Sequence, residues 1–350
     1  MLRTRQLVGA ITAALLFSSA AVATDFSQVI VFGDSLSDNG NISLATAPSV
    51  QPPFSFTTNP GKVAIQNVAS ALGSTLAPSL TGGTDYAWGG AGIFNNSPGT
   101  PGSIPTVTNQ VGSYLTGGTV DGNALYSIWG GANDIFYAAT AVGAGAVAQQ
   151  LITQNVALQI AHLLNLGYTQ QQVDALTPQI TQQVTAAVTQ QVLAGAGVSS
   201  FMTADQAQAA IGAAAQQEVK LIGQLQAAGV KNILVFNLPN IGSTPSAAAQ
   251  GASAAASLTG LSVIFNSTLN AGLGQLGTGI IPINAYALLN EAIANPAGFG
   301  FSNVTAPACT GGDGSSVHCG PQGSGASVTY APGTDQSYLF ADGVHPTTAA

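Results

Sequence analysis

The sequence predicts an α/β fold with a mostly parallel sheet. Four short apolar runs bounded by turn residues are typical of buried strands, and they cover residues 28–32, 124–129, 232–236 and 279–283. Helical patterns lie between these runs, and strands that alternate with helices favour a parallel sheet covered by helices. Ligands bind such sheets beyond the carboxyl ends of the strands, so we expect a site among the polar residues that follow them.

Helices are expected over residues 62–72, 145–229 and 247–276. The middle region is rich in Ala and Gln, and its apolar residues recur at helical spacing. We interpret it as an inserted helical lobe, a candidate lid beside the sheet, although an ordinary pair of crossover helices explains the same pattern. The Gly- and Pro-rich stretch 89–118 is interpreted as a long surface loop. No linker divides the chain, so residues 24–350 are predicted to form a single domain.

The N-terminus has the layout of a secretory signal peptide over residues 1–23. Arg3 and Arg5 precede an apolar run, and the small residues at positions 21–23 end at Ala23. The alternative is a membrane anchor, but the apolar run is shorter than the ~20 residues of a spanning helix. Cleavage after Ala23 leaves three basic and thirteen acidic residues, a formal charge of −10. We therefore expect a secreted or cell-surface protein.

The composition disfavours several classes of partner. Charged residues make up only 5% of the chain, against roughly 25% in an average soluble protein. Nucleic acid is not an expected partner, because its binding requires basic patches. No later apolar run is long enough to span a bilayer, so no transmembrane segment is expected in the mature chain.

Two cysteines, Cys309 and Cys319, lie in the loop CTGGDGSSVHC. In an exported protein this spacing predicts a local disulfide, which would contribute about 3 kcal/mol to stability by constraining the unfolded chain. A metal site that also uses His318 is the alternative, but the spacing matches no standard set of ligands. We expect no metal and no cofactor.

Four polar clusters remain, and together they supply what acyl transfer needs: a nucleophile, a base, a group that orients the base, and donors for an oxyanion. Their sequences are GDSLSDNGN (33–41), TDYAWGGAG (84–92), WGGANDIF (129–136) and FADGVHPTT (340–348).

The chain has three histidines, of which His345 is the candidate base. His162 lies in an apolar helical run and is interpreted as structural or exposed, and His318 lies in the cysteine loop. His345 follows Asp342 by three residues, and Pro346 keeps it out of helical backbone. Asp342 can accept a hydrogen bond from one ring nitrogen and leave the other facing a serine. The alternative is a turn in which Asp342 only caps the following segment.

Ser35 is the candidate nucleophile, because it follows the first strand where a hydroxyl can lie near backbone N–H groups. No G-x-S-x-G motif exists in the chain. The glycines of WGGAG offer backbone donors that a ligand can approach closely. Asn133 offers a neutral side-chain donor. We interpret Ser37 as a turn or capping residue, together with Asp38, Asn39 and Asn41, and assign Asp34 no role.

The order of the four clusters resembles the GDSL, or SGNH, hydrolase family of serine esterases and lipases. The resemblance spans residue 28 to the end, and NPAGFGFSNVTAPAC (295–309) is similar to bacterial secreted and autotransporter-type members. It implies a flavodoxin-like three-layer α/β/α fold with a five-stranded parallel sheet. The substrate it implies is a small-molecule or lipid ester.

The resemblance also implies a role for each motif residue. Ser35 is the nucleophile and its N–H the first oxyanion donor, Gly90 supplies the second donor with Gly89 as the alternative, and Asn133 supplies the third. His345 is the general base, and Asp342 orients it.

Two positions depart from the family pattern. Asp85 stands where Asn is common, and we assign it no role. Ala341 stands where an aromatic residue is common, and we expect it to widen the mouth of the pocket.

The leading hypothesis is therefore a secreted carboxylic-ester hydrolase that works through an acyl-enzyme. A lipid acyltransferase or phospholipase of the same family is one alternative. A non-catalytic secreted adhesin, which the low charge and the Gly/Ala/Thr-rich loops favour, is another.

Overall fold

The structure, a computed structural model, describes residues 26–50, 52–117 and 119–350. The expected signal peptide lies outside these residues. At the centre is a sheet of parallel strands in the order β1-β2-β3-β4, formed by β1 (Val29–Gly33), β2 (Leu125–Trp129), β3 (Asn232–Phe236) and β4 (Ile280–Ile283). Each predicted strand is confirmed to within one residue, and so is the α/β class.

The first three strands and the fourth differ in burial. β1 and β2 are buried throughout, and β3 is buried from its second residue onward. The expectation that 279–283 is also buried was wrong, because β4 is an edge strand with two exposed and two half-buried residues. Pro282 fits that position, since a residue without an N–H is tolerated at a sheet edge.

The five-stranded sheet is not confirmed, because the described residues form a central sheet of four strands. Residues 84–88 run along the free edge of β1, where Tyr86 N–H donates to Val31 and Trp88 N–H donates to Gly33. The pairing is limited to a single bridge between Val31 and Asp85. Gly89 and Gly90 then turn the chain away, and Gly90 has a φ of 81° that favours glycine.

Helices connect the strands. They are α1 (Asn41–Thr46), α2 (Ala64–Ala71), α3 (Val107–Gly117), α4 (Ala132–Asn165), α5 (Gln170–Ala196), α6 (Ala204–Ala227), α7 (Pro245–Ala249), α8 (Ala252–Leu273), α9 (Ala285–Ala294) and α10 (Thr334–Ser337). The predicted loop 89–118 was partly wrong, because it contains α3. Gly251 divides the third predicted helical segment into α7 and α8.

The Ala- and Gln-rich region forms α5, α6 and most of α4. Thr169 and Thr203 begin α5 and α6 with capping boxes, in which each threonine and the glutamine three residues later satisfy each other's backbone N–H groups. The inner face of α6 packs into the main core through Ile211 and Leu221. The second half of α4 and α5 form a separate apolar cluster around Val184. The lobe as a distinct unit stays a prediction.

Two small sheets carry the C-terminal segment. One pairs β5 (Asn303–Pro307) with β9 (Tyr338–Phe340), and the other has the order β6-β8-β7, formed by β6 (Cys309–Thr310), β7 (Cys319–Pro321) and β8 (Val328–Tyr330). The predicted disulfide between Cys309 and Cys319 is present, and both cysteines are buried. It ties β6 to β7 at the base of the loop that they enclose.

Two helices, α4 and α8, are long and apolar enough to cross a membrane by length and composition. Core helices of soluble proteins pass the same test, so this observation is weak evidence. In both helices part of the surface is buried within the protein.

Glu218, on α6, is a buried acid in the core. It is fully shielded from solvent, and neither carboxylate oxygen has a hydrogen-bond partner in the part of the chain that the structure describes. Burial, followed by the charges of Asp34 and Asp134, raises the pKa of Glu218 well above its ordinary value. A carboxyl in this setting folds in its protonated form.

We expect Glu218→Gln to change how stability depends on pH. Because the folded-state pKa of Glu218 is raised, its contribution to the free energy of unfolding is complete below the ordinary pKa of 4.5. This contribution is lost as pH rises through the folded-state pKa. Thermal unfolding should therefore show a Tm advantage of Glu218→Gln over the native protein that grows from about pH 5 to about pH 8. Glu291→Gln, an exposed change of the same charge on α9, is the control. An advantage that is independent of pH would contradict the prediction.

Candidate active site

The hydroxyl of Ser35, the imidazole of His345 and the carboxylate of Asp342 form a continuous hydrogen-bonded chain. Ser35 Oγ lies 2.7 Å from His345 Nε2. His345 Nδ1 lies 2.7 Å from Asp342 Oδ2 and 2.9 Å from Oδ1. Ser35 and His345 are 310 positions apart in the sequence. Ser35 follows the carboxyl end of β1 and His345 lies in the loop after β9, and the fold brings these two segments together. Ser35 is 8% exposed, so its hydroxyl is open to a ligand on one side.

The hydrogen bonds fix the tautomer of His345. An ionised carboxylate only accepts, so the Asp342 contact requires the proton on Nδ1 and leaves Nε2 as an acceptor for the Ser35 hydroxyl. Burial lowers the pKa of His345, but the charge and hydrogen bond of Asp342 raise it, with Asp34 adding to the rise, so that the net direction is upward. Burial raises the pKa of Asp342, but the charge and hydrogen bond of His345 act in the opposite direction. The net direction is downward, so the Asp342 carboxylate stays ionised.

Backbone donors hold the Asp342 carboxylate in place. Oδ1 accepts from the N–H groups of Val344 and His345 at 2.9 and 2.8 Å. Oδ2 accepts from the N–H of Ser316 at 2.9 Å. Ser316 lies in the disulfide loop, and Asn59 Nδ2 holds its carbonyl at 3.0 Å. The disulfide loop therefore supports the acid of the chain, a contact that no local pattern in the sequence indicated.

The candidate oxyanion donors lie at one cavity. Ser35, Gly89, Gly90 and Asn133 all line the same cavity. Gly89 N–H donates to Asp38 Oδ2 at 2.8 Å, whereas the N–H groups of Gly90 and Ser35 donate to no described residue. Asn133 Nδ2 donates one hydrogen to the Ala91 carbonyl at 2.9 Å, which orients the amide and leaves its other hydrogen available.

Three buried aspartates hold the donor segment. Asp38 binds Gly89 and also caps α1 through the N–H groups of Gly40 and Asn41. Its role therefore exceeds the local capping that the sequence indicated. Burial raises the pKa of Asp38 to about 6, with its backbone donors acting in the opposite direction.

Asp85 and Asp134 extend this frame. Asp85, to which the sequence assigned no role, accepts from the N–H groups of Asn39 and Ala87, both at 2.9 Å. Asp134 accepts from Ile93, Phe94 and Asn95, at 2.6, 3.0 and 3.0 Å. Sequence reasoning missed Asp134, although its place beside Asn133 in GAND was a signal.

Asp34 adjoins the nucleophile and lies beneath it. The side chain is fully buried, with Oδ1 accepting from Leu36 N–H at 3.0 Å and Oδ2 without a partner among the described residues. Burial raises the pKa of Asp34 to about 7, against the Leu36 hydrogen bond and the His345 charge, which lower it. Asp34 therefore titrates near neutral pH, close enough to His345 to raise the pKa of the imidazole.

The remaining histidines and Ala341 do not take part in the hydrogen-bonded chain. His162 is exposed on α4, as expected. His318 pairs with Asp313 through Nδ1 at 2.8 Å and lines the cavity wall. The expectation that Ala341 widens the pocket mouth was wrong, because Ala341 is fully buried and packs with Cys309 and Cys319. Within residues 26–50, 52–117 and 119–350, no group of three or more metal-binding side chains could hold an ion.

An apolar cavity of about 840 Å³ opens at Ser35. Trp129 and Phe236, from the ends of β2 and β3, stack at 4.3 Å between ring centroids and form one wall. Phe56 packs on the imidazole of His345 with ring centroids 4.9 Å apart. A Cβ at Gly89 would collide with the Phe56 ring, so a larger residue there would require the ring to move. The cavity is large enough for a lipid-sized ligand.

An α/β fold that joins a serine, a histidine and an aspartate in this way has the arrangement of serine hydrolases. The chain belongs to the GDSL-like Lipase/Acylhydrolase family, whose model matches residues 29–350, and this confirms the resemblance. It is 29% identical to Lipase 1 of Photorhabdus luminescens over 358 residues, or 96% of this chain and 50% of that protein.

The chain is also similar to two esterases. It is 30% identical over 340 residues to Esterase EstA of Pseudomonas aeruginosa and of Pseudomonas putida, covering 96% of this chain and 46% of each of those proteins. The chain thus spans about half the length of these relatives.

We expect Asp34→Asn to lower the pKa of His345. The negative charge of Asp34 favours the imidazolium, so replacing it by a neutral amide of the same shape removes that support. NMR titration of the His345 imidazole measures the shift. Asp174→Asn removes the same charge from the exposed surface of α5 and should leave the titration unchanged. An unchanged or raised pKa in Asp34→Asn would show that Asp34 does not act on His345.

Proposed function

We propose that this protein is a carboxylic-ester hydrolase of the GDSL family that works through an acyl-enzyme on Ser35. The observation that carries the proposal is the 2.7 Å contact between Ser35 Oγ and His345 Nε2, continued to Asp342. A serine hydroxyl is a weak nucleophile unless a neighbouring base takes its proton as it attacks. Membership of the family and the names of the similar lipase and esterases support the same chemistry.

In the first step, Ser35 Oγ attacks the carbonyl carbon of the ester while His345 Nε2 takes the hydroxyl proton. Asp342 stabilises the imidazolium that forms and keeps the ring in the tautomer with the proton on Nδ1. When the tetrahedral intermediate collapses, His345 gives the proton to the alcohol oxygen and the acyl group remains on Ser35. Water then attacks the acyl-enzyme by the same route, and the acid is released.

The negative charge that develops on the carbonyl oxygen needs preoriented donors. In this proposal they are the N–H groups of Ser35 and Gly90 and the side chain of Asn133. Gly90 is favoured over Gly89, because Asp38 already uses the N–H of Gly89. The contact with Ala91 supports the role of Asn133, since it fixes the amide before the ester binds.

We infer that the sheet is a flavodoxin-like one. Residues 84–88 occupy the fifth strand position beside β1, which gives the order that flavodoxin-like sheets share. Ligands of flavodoxin-like sheets lie at the switch point next to the first strand, where Ser35 is found.

A fatty acyl or other apolar ester is the substrate class, since apolar and aromatic side chains line most of the cavity.

Two alternative functions, acyl transfer to an alcohol and non-catalytic adhesion, can be distinguished from ester hydrolysis by experiment. The same acyl-enzyme can pass its acyl group to an alcohol instead of water, and product analysis with a lipid donor and added alcohol would separate transfer from hydrolysis. A non-catalytic adhesin would leave Ser35 unlabelled by a fluorophosphonate probe.

We also propose that the protein is exported. The motivating features are the signal-peptide layout of residues 1–23 and the disulfide, which is typical of oxidising compartments.

Ser35→Ala should abolish hydrolysis of an aryl ester, because the nucleophile is lost. His345→Ala should lower kcat/KM about as strongly, by a factor on the order of 10⁴ or more, since the two residues act as a unit. Ser37→Ala is the matched control, as its buried hydroxyl has no hydrogen-bond partner within the described residues. Steady-state rates and fluorophosphonate labelling provide the measurements. Ester hydrolysis at the native rate by Ser35→Ala would sink the proposal.

Expression of the whole chain in a secreting host should release a product that begins at Thr24. The reason is that the small residues before this position match the requirement of signal peptidase. N-terminal sequencing of the exported protein tests the site, and Ala23→Arg, which places a large charged residue at it, should block cleavage. Retention of residues 1–23 on the exported native protein would contradict the proposal.

A further inference from the structure

A second cavity adjoins the one at Ser35 and is not used by the chemistry proposed above. It is a groove of about 550 Å³ between α4 and α5, closed at one side by Leu258 of α8. Phe136 lines both cavities, so the groove adjoins the active-site cavity and this side chain lies between them. None of the described residues that line the groove is charged.

The groove begins beside a proposed oxyanion donor. Asn133 lies in the first turn of α4, and Phe136 lies one turn further along the same helix. The α4 side of the groove then extends from Phe136 to Val147, a length of about 16 Å at the rise of an α-helix. A chain attached to the carbonyl carbon at Ser35 can enter at Phe136 and lie along α4.

Two glycines form part of the groove, Gly143 on α4 and Gly195 on α5. Glycine weakens a helix interior relative to alanine, so its presence on both facing helices calls for a reason. Packing does not supply one, because a Cβ built on either residue has no heavy atom within 4 Å. The missing side chains leave the groove open along its length.

We propose that this groove binds the distal part of a long acyl chain. The proposal rests on the function proposed above and adds the substrate class, esters of long-chain fatty acids. The acyl group is assigned to it rather than the alcohol because His345 must protonate the departing alcohol, which places the alcohol on the His345 side of Ser35. The acyl chain then extends toward α4. Uncharged lining and burial of methylene groups are what such a chain requires.

Gly143→Leu and Gly195→Leu test the proposal, because each adds a side chain that favours the helix at a groove position where a Cβ has no heavy atom within 4 Å. We expect the ratio of kcat/KM for the hexadecanoate to kcat/KM for the butanoate of one aryl alcohol to fall about tenfold in each variant, a difference of ~1.4 kcal/mol. Gly112→Leu, on the exposed face of α3 and equally unobstructed, is the control and should keep the native ratio.

A second series of esters separates the possible results. For acetate esters, the ratio of kcat/KM with a long-chain alcohol to kcat/KM with a short-chain alcohol should be the same in Gly143→Leu as in the native protein. A change confined to this alcohol series would assign the groove to the alcohol and overturn the proposal. An unchanged acyl ratio in both glycine variants would also overturn it. In either case the native protein would still hydrolyse the butanoate through Ser35, whereas failure of the proposed function would leave every ester intact.

Discussion

Buried aspartate carboxylates that accept backbone N–H groups are the interaction on which the geometry of the site depends. Asp38, Asp85 and Asp134 hold the segment that carries Gly89, Gly90 and Ala91, and Asp342 is held in the same way after β9. These loops end strands and therefore lack sheet partners for their N–H groups. A carboxylate offers two acceptor oxygens and can therefore accept several such bonds at once. The loops are thus fixed to the sheet by hydrogen bonds to buried carboxyl groups as well as by the packing of Ala91 and Ile93 in the core.

This arrangement has an electrostatic consequence for the histidine. Burial raises the pKa of Asp34 to about 7 and those of Asp38 and Asp134 to about 6, despite the backbone donors on each. Asp342 behaves differently, because it faces the imidazole and is kept ionised. Asp342 therefore keeps its negative charge next to His345, whereas the charges of Asp34, Asp38 and Asp134 are partly suppressed. An imidazolium formed in the proposed acyl transfer would be stabilised where it forms.

The sequence was sufficient to predict the α/β class, the strands and the residues of the hydrogen-bonded chain, because these depend on local patterns. Apolar runs located β1 to β4, and the motifs located Ser35 and His345. The sheet edges were harder to predict. Residues 84–88 pair only weakly with β1, and Pro282 was the one local signal that β4 is an edge. The supporting contacts could not be predicted at all, since the bond from Ser316 to Asp342 depends on how the disulfide loop packs against a distant turn.

The few charged residues of the chain are unevenly distributed. Only 5% of residues are charged, yet several of the acids are buried around Ser35, where each accepts backbone N–H groups or stands next to the histidine. The cavity that begins at the same serine has mostly apolar walls, formed in part by the stacked Trp129 and Phe236. A polar frame and an apolar cavity therefore meet at one hydroxyl. An ester, the proposed substrate, has the same division, because its reacting carbonyl is polar and its acyl chain is not, so the two parts of the site would favour the orientation that brings the carbonyl to Ser35.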